Sequence, residues 1–253
     1  MGGINRLSGR NLNMYQFVCV KWGDKYPSEY VNRLYKMITR HINGEFTLYC
    51  LTDNSSDLNS DIRPLPILDD SLSGWWHKLS LFQEDFHGLK GDFLYLDLDV
   101  VIVGGLDEFF SYKPGFFLAS KDLLTGALNS SVFRFRIGSQ PQIWESFQEN
   151  AGFISSHYKG DQDWITEKVV DESIWPEEWV VSFKKQCNAR IPRTYGRLGV
   201  ICRRLGLMKV EGEAKFPERA RIVQFHGKPD PEDVMDGSYD IYKAAPWIKK
   251  YWF

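Results

Sequence analysis

The sequence has little of what marks a secreted or membrane protein. No apolar run reaches the roughly 18 residues that a membrane-spanning helix needs. The four cysteines, Cys19, Cys50, Cys187 and Cys202, contain no C-x-x-C pair, which excludes a zinc ribbon and a thioredoxin-type motif. Cys19 and Cys50 lie inside apolar runs and read as small buried hydrophobes of a reducing compartment; a pairing of Cys187 with Cys202 stays open. Residues 1–13 lack the apolar stretch of a secretory signal, so they are expected to be a flexible extension of a cytoplasmic protein. Charge of one sign is also scarce. The 31 Lys and Arg against 33 Asp and Glu leave −2, so the whole molecule is no polyanion binder by composition. No internal repeat, low-complexity tract or linker interrupts residues 14–253, which points to one domain. Present instead is an aromatic content of 15%, enough for a large core and for ring faces that meet a ring-shaped ligand.

Local patterning predicts an alternation of strands and helices. Tyr15–Val20 reads as a strand, and Tyr30, Val31, Leu34, Tyr35, Ile38 and Ile42 repeat at helical spacing. Phe46–Leu51 reads as a second strand, residues 52–70 as loop, Trp75–Phe86 as a helix and Phe93–Leu98 as a third strand. Strand–helix–strand–helix–strand predicts an α/β fold, a mostly parallel sheet flanked by helices. Beyond it, Gly115–Ser120, Ser130–Phe135 and Ile222–Phe225 read as strands and Gln140–Asn150 as a helix. Ala245–Phe253 reads as a Trp-rich tail docked on the body. The regular alternation covers about residues 14–105, and a less regular half about 106–253.

The sharpest chemistry lies in Phe93–Val103, where Asp97 and Asp99 interrupt an otherwise apolar run. At strand spacing the two carboxylates project to one side, and a divalent cation such as Mg²⁺ or Mn²⁺ relieves their mutual repulsion. The carboxyl end of a parallel strand is also where open α/β sheets bind ligands. Two further clusters follow. Phe225-His226-Gly227-Lys228-Pro229 offers an imidazole ligand, a close-approach glycine and a phosphate-binding ammonium, or else an ordinary surface turn. Gly160-Asp161-Gln162-Asp163-Trp164 offers two acids and an amide, with Asp161 also a candidate helix N-cap.

Tyr95-Leu96-Asp97-Leu98-Asp99-Val100-Val101-Ile102 followed by Gly105-Leu106-Asp107-Glu108-Phe109-Phe110 resembles the D-x-D region of GT-A fold glycosyltransferases. It is most similar to family 8, the glycogenin- and galactosyltransferase-like enzymes. Trp76-His77-Lys78-Leu79, Leu128-Asn129-Ser130-Ser131-Val132, Asp161-Gln162-Asp163 and Phe225-His226-Gly227-Lys228-Pro229 resemble further motifs of that family, in its order. The last is more tightly spaced than is usual there, and Ser131 stands where a glycine is usual. The resemblance implies a metal-dependent transferase that moves a sugar from a nucleotide sugar, most simply a UDP-sugar, to an acceptor hydroxyl with retention. It implies Asp97, Asp99 and His226 as ligands of Mn²⁺ or Mg²⁺, and Asp97 also on the ribose. Lys228 would hold the diphosphate with Gly227 beside it, Lys78 would stand for an arginine near the donor phosphates, and Val20, Asp24 and Tyr26 would hold nucleobase and ribose, with Asp53 a weaker candidate. Asn129, Asp161, Gln162 and Asp163 would line the sugar and the reacting centre.

Alternatives are a nucleotide-sugar-binding pseudoenzyme and a transferase acting on a modified DNA base. A nucleotidyltransferase would carry a glycine-rich basic loop after the first strand, and Lys21-Trp22-Gly23-Asp24-Lys25 is poor in glycine. Residues 184–221 carry 11 Lys or Arg against 3 Glu, a net +8, which suggests an anionic acceptor: a phosphorylated glycan, a lipid surface or DNA.

Overall fold

The computed structural model describes residues 14–123, 125–188, 201, 202, 205 and 212–253. The expected extension, 1–13, and most of the basic segment, including Arg203 and Arg204, lie outside the described residues.

The expected alternation forms. Strand β1 (Tyr15–Lys21) leads to helix α1 (Ser28–His41), then β2 (Phe46–Thr52), β3 (Arg63–Pro66), a 3-10 helix (Gly74–Phe82) and β4 (Asp92–Leu96). Helix α1 buries Tyr30, Val31, Leu34, Met37 and Ile38, the face that the periodicity marks, and carries Arg40 and His41 in its last turn, where cations suit the helix dipole. Two segments depart from expectation. Part of 52–70 is the edge strand β3, whose two prolines leave ladder donors absent on an edge. Trp75–Phe86 is not an α-helix: the chain is 3-10 over Gly74–Phe82, and every residue from Trp76 to Phe82 is buried. A segment enclosed all round has no solvent face, so the helical spacing of Trp75, Leu79 and Phe82 carried no amphipathic meaning, and Trp75 is exposed.

The chain continues through β5 (Val100–Ile102), α2 (Asp107–Ser111), β6 (Phe117–Lys121), β7 (Leu128–Arg136), α3 (Pro141–Glu149), α4 (Ala151–His157), α5 (Asp161–Lys168), β8 (Glu172–Ile174), β9 (Val180–Ser182) and β10 (Ile222–Gln224). Seven strands form one sheet in the order β3-β2-β1-β4-β7-β6-β8, with β5-β10-β9 a second, small sheet. In the large sheet only β7 runs against its neighbours. Alternate residues of the central strands enter two cores, as the pleat requires: Phe17, Cys19, Leu94 and Leu96 face α1 and the small sheet, while Val18, Phe93 and Tyr95 face the 3-10 helix, α3 and α5. The tail docks as expected. Trp252 is buried against Tyr30, and Arg40 donates to the carbonyls of Tyr251 and Phe253. All four cysteines are free, Cys187 and Cys202 included.

Candidate functional site

A cavity of about 600 Å³ opens at the carboxyl ends of β1 and β4. The D-x-D acids reach it from a turn rather than from within a strand, which corrects the expectation. Strand β4 ends at Leu96, and the Asp97 amide donates to the Ser131 carbonyl of β7 at 2.8 Å. The chain then turns at Leu98 and Asp99 and enters the small sheet at Val100. Asp99 is fixed from the other side, because its carbonyl accepts from the amide of Phe225, just past β10, at 3.3 Å. The apolar run is therefore two strands of two sheets, with an acid pinned to each.

Lys78 links the first acid to α5. Its ammonium lies 3.2 Å from Asp97 Oδ1 and 2.9 Å from Asp161 Oδ2, and it donates to the Ser130 carbonyl at 3.2 Å. Ser130 Oγ donates to the same Asp161 oxygen at 2.7 Å, and Tyr95 Oη donates to Asp97 Oδ1 at 2.6 Å. Burial alone would lower the Lys78 pKa, but Asp161 and then Asp97 more than offset it and hold the ammonium above its ordinary value. Asp161 is the first residue of α5 rather than its cap: Gly160 precedes the helix and no side chain caps it. The carboxylate is turned toward Lys78 instead.

Asp99 stands differently. Burial first, then the charge of Asp97, push its carboxyl up to about 7. Tyr26 Oη donates to Asp99 Oδ2 at 3.2 Å and lies 3.4 Å from Asp230 Oδ1. His226 enters from the turn after β10. Its Nε2 is buried without a hydrogen-bond partner, and burial, followed by Lys185 and Lys184, lowers its pKa. Lys184 steadies this turn by donating to the His226 carbonyl at 2.5 Å. Gly227, at φ +58°, supplies the left-handed backbone that turns the chain there.

This fold recurs in solved structures. GlyE, a glycosyltransferase of Streptococcus pneumoniae TIGR4, superposes with a TM-score of 0.61 at 14% identity over 94% of this chain. The chain spans 60% of the length of GlyE. The galactosyltransferase LgtC, solved with donor and acceptor sugar analogs, gives 0.59 at 14% identity over 85% of this chain and 88% of LgtC. The bifunctional glycosyltransferase WbbM gives 0.59 at 13% identity over 98% of this chain and 52% of WbbM. The chain has a GT-A glycosyltransferase fold. No protein-family model and no curated protein matches it.

Within the GT-A fold, the structure brings most of the candidate residues to one cavity and leaves others apart. Val20, Asp24, Tyr26, Lys78, Asp97, Asp99, Asp161, Gln162, His226 and Gly227 line it. Asn129 does not; it is buried, and its Oδ1 accepts from the Ser131 amide at 2.9 Å. Asp163 also lies off the lining. Lys228 points away, with its ammonium 2.9 Å from Asp230 and 2.8 Å from Asp233, whose hydrogen bonds hold its pKa up. Asp53 accepts from the Gly23 amide at 3.0 Å and so shapes the first loop. Sequence reasoning passed over Trp22, Lys25, Trp75, Ser130, Ser131 and Lys159, which also line the cavity. Trp22 and Trp75 are 39% and 55% exposed, which the structure reveals and the sequence did not, since Trp75 read as the start of a helix. Gly160 lies against the Trp75 indole, and a Cβ there would make ordinary contact, 3.4 Å from Trp75 Nε1.

Among the described residues, no three His, Cys, Asp or Glu stand together as a ready-made metal cluster. The donor chemistry nonetheless fits a hard divalent cation: two crowded carboxylates and an unpartnered imidazole nitrogen face one cavity. Of the basic segment, Lys184 is bonded to His226, Lys185 pairs with Asp122 at 3.2 Å, and Arg221 pairs with Glu108 and lies over Trp179. No helix among the described residues is long and apolar enough to cross a membrane.

Proposed function

We propose that the protein is a metal-dependent glycosyltransferase that moves a sugar from a nucleotide sugar, most simply a UDP-sugar, to an acceptor hydroxyl. One observation carries the reading: in a GT-A fold, Asp97, Asp99, Asp161, Lys78 and His226 converge on one cavity at the strand ends. Asp97, Asp99 and His226 would hold Mn²⁺ or Mg²⁺, which when bound neutralises diphosphate charge as the leaving group departs. Val20, Asp24 and Tyr26 receive nucleobase and ribose. Lys78 sits where its charge can follow the leaving diphosphate, and Asp161 and Ser130 hold its side chain extended. Lys228 reaches the diphosphate by exchanging Asp230 and Asp233 for phosphate oxygens. Asp161 and Gln162 face the sugar, and Asn129 supports that wall through the Ser131 amide, with Asp163 beside them in sequence.

Retention follows the family resemblance, and no side chain is assigned as a covalent nucleophile. An anionic acceptor docked on 184–221 would rely on Lys215 and Arg219, both exposed, and on basic residues outside the described part, because Lys184, Lys185 and Arg221 are already engaged. A cytoplasmic setting belongs to the same reading.

The test is a panel of nucleotide sugars with and without Mn²⁺, read by thermal shift and by release of free nucleotide. Metal-dependent stabilisation together with nucleotide release supports the reading. Stabilisation without turnover on any acceptor, including DNA with hydroxymethylated bases, makes the protein a binding pseudoenzyme, and no stabilisation by any donor refutes the reading.

A further inference from the structure

We propose that a second cavity, which shares His226 with the first, seats the hydroxyl-bearing edge of an uncharged acceptor, a saccharide or similar polyol. The proposal rests on the glycosyl-transfer reading and names its acceptor class. The cavity has a volume of about 60 Å³. Its wall carries a concentration of unsatisfied polar atoms: Ser120 Oγ, Trp175 Nε1, Ser182 Oγ and Gln224 Oε1 are all buried without a hydrogen-bond partner, beside His226 Nε2, which is left for the cation. These four are half of the eight such atoms among the described residues, so they are not scattered packing faults. Buried polar atoms without partners are rare, and a cluster of them marks a place that something else completes.

Their chemistry selects the ligand. Trp175 Nε1 only donates, Gln224 Oε1 only accepts, and the two serine hydroxyls do both. Vicinal hydroxyls, each donor and acceptor at once, match that mixture. A phosphate or carboxylate does not, because it cannot donate to Gln224. Charge points the same way: Lys121 and Lys185 on the wall are balanced by Asp122 and Glu177. Lys185 is moreover bonded to Asp122. The volume admits a hydroxylated edge rather than a whole pyranose ring. The remainder of the ring would meet the rim, where Leu123 and Ile174 are 53% and 41% exposed and suit its C–H face.

The full chain, labelled with ¹⁵N at the tryptophan indoles and with the Trp175 resonance assigned through Trp175→Phe, tests this. Glucose, galactose, lactose and N-acetylglucosamine are titrated beside glucose 6-phosphate. At least one uncharged saccharide is expected to shift the Trp175 indole resonance saturably. Ser120→Ala with Ser182→Ala should weaken that binding about fivefold to tenfold per hydroxyl. UDP binding should stay unchanged and the melting temperature unchanged or higher, since the variant deletes hydroxyls that have no partner. The proposal is overturned if no saccharide moves the Trp175 resonance, or if glucose 6-phosphate binds more tightly than glucose. It is equally overturned if the double variant melts lower while saccharide affinity holds, the mark of hydroxyls completed by fixed water. Failure of the transfer reading is separate: no donor is consumed, yet the saccharide response of Trp175 persists and supports the cavity assignment.

Discussion

Replacing Asp99 by asparagine should make the protein more stable, by an amount that grows from about pH 4 to about pH 7 and is constant above that. Asp99 is 7% exposed, and its carboxyl is pushed from 3.8 up to about 7 by burial and then by Asp97. A group whose folded pKa lies above its unfolded value favours the folded state most at low pH, and that advantage is lost as pH rises through the folded value. Between 3.8 and about 7 the difference, at 1.36 kcal/mol per pH unit, is about 4 kcal/mol. Asparagine keeps the shape and can still accept from Tyr26, but carries no charge. Urea unfolding should therefore show Asp99→Asn gaining up to about 4 kcal/mol over the parent at about pH 8, and almost nothing at about pH 4. Mn²⁺ should raise the parent's stability at about pH 8 and leave the variant unmoved, because cation and mutation relieve the same crowding. Equal stability of parent and variant at high pH, or a gain that does not shrink on acidification, would refute the account of Asp99.

Three further outcomes are expected. Lys78→Met leaves Asp97 and Asp161 facing each other without their shared cation, and should cost about 3–5 kcal/mol in urea unfolding, with Lys78→Arg recovering much of it. Lys228→Ala should weaken UDP binding about tenfold by calorimetry with little change in stability, since its side chain is 57% exposed; an unaltered affinity would leave Lys228 as a clamp on Asp230 and Asp233 alone. Mn²⁺-dependent UDP binding should fall on acidification from about pH 7, where Asp99 takes up its proton, and burial keeps the His226 ring neutral until below 6.5; binding that is unchanged from about pH 8 to about pH 5 counts against both as ligands.

The sheet was legible because its central strands are buried on both faces and read as short β-rich runs, and α1 because one of its faces is wet. The break inside Phe93–Val103 was not legible. Leu96 and Val100 look alike in a sequence, and only the pairing of β4 with β7 and of β5 with β10 reveals two strands. For the site, the strand-end acids and the late histidine could be found from residue type and position. The partners of Lys78 could not, since Ser130 and Asp161 lie 52 and 83 positions away in the chain and meet it only through packing. The partners of Lys228 were missed although they are near in sequence: a cation after a strand suggests phosphate, and Asp230 and Asp233, two and five positions on, also pair with it.

The small sheet also acts as a ruler. Gln224 pairs with Val100 and Ile222 with Ile102, so the spacing between the Asp99 turn and the His226 turn is set by a ladder of backbone hydrogen bonds. Strand β9 is locked to β10 in turn, Val180 beside Ile222 and Ser182 beside Gln224. The chain thus leaves the small sheet after Ser182 and re-enters it at Ile222 from two adjacent fixed points. The length and composition of the stretch between them can change from one protein to another without altering the gauge of the site, whereas one residue added inside β5 or β10 would shift an acid against the imidazole.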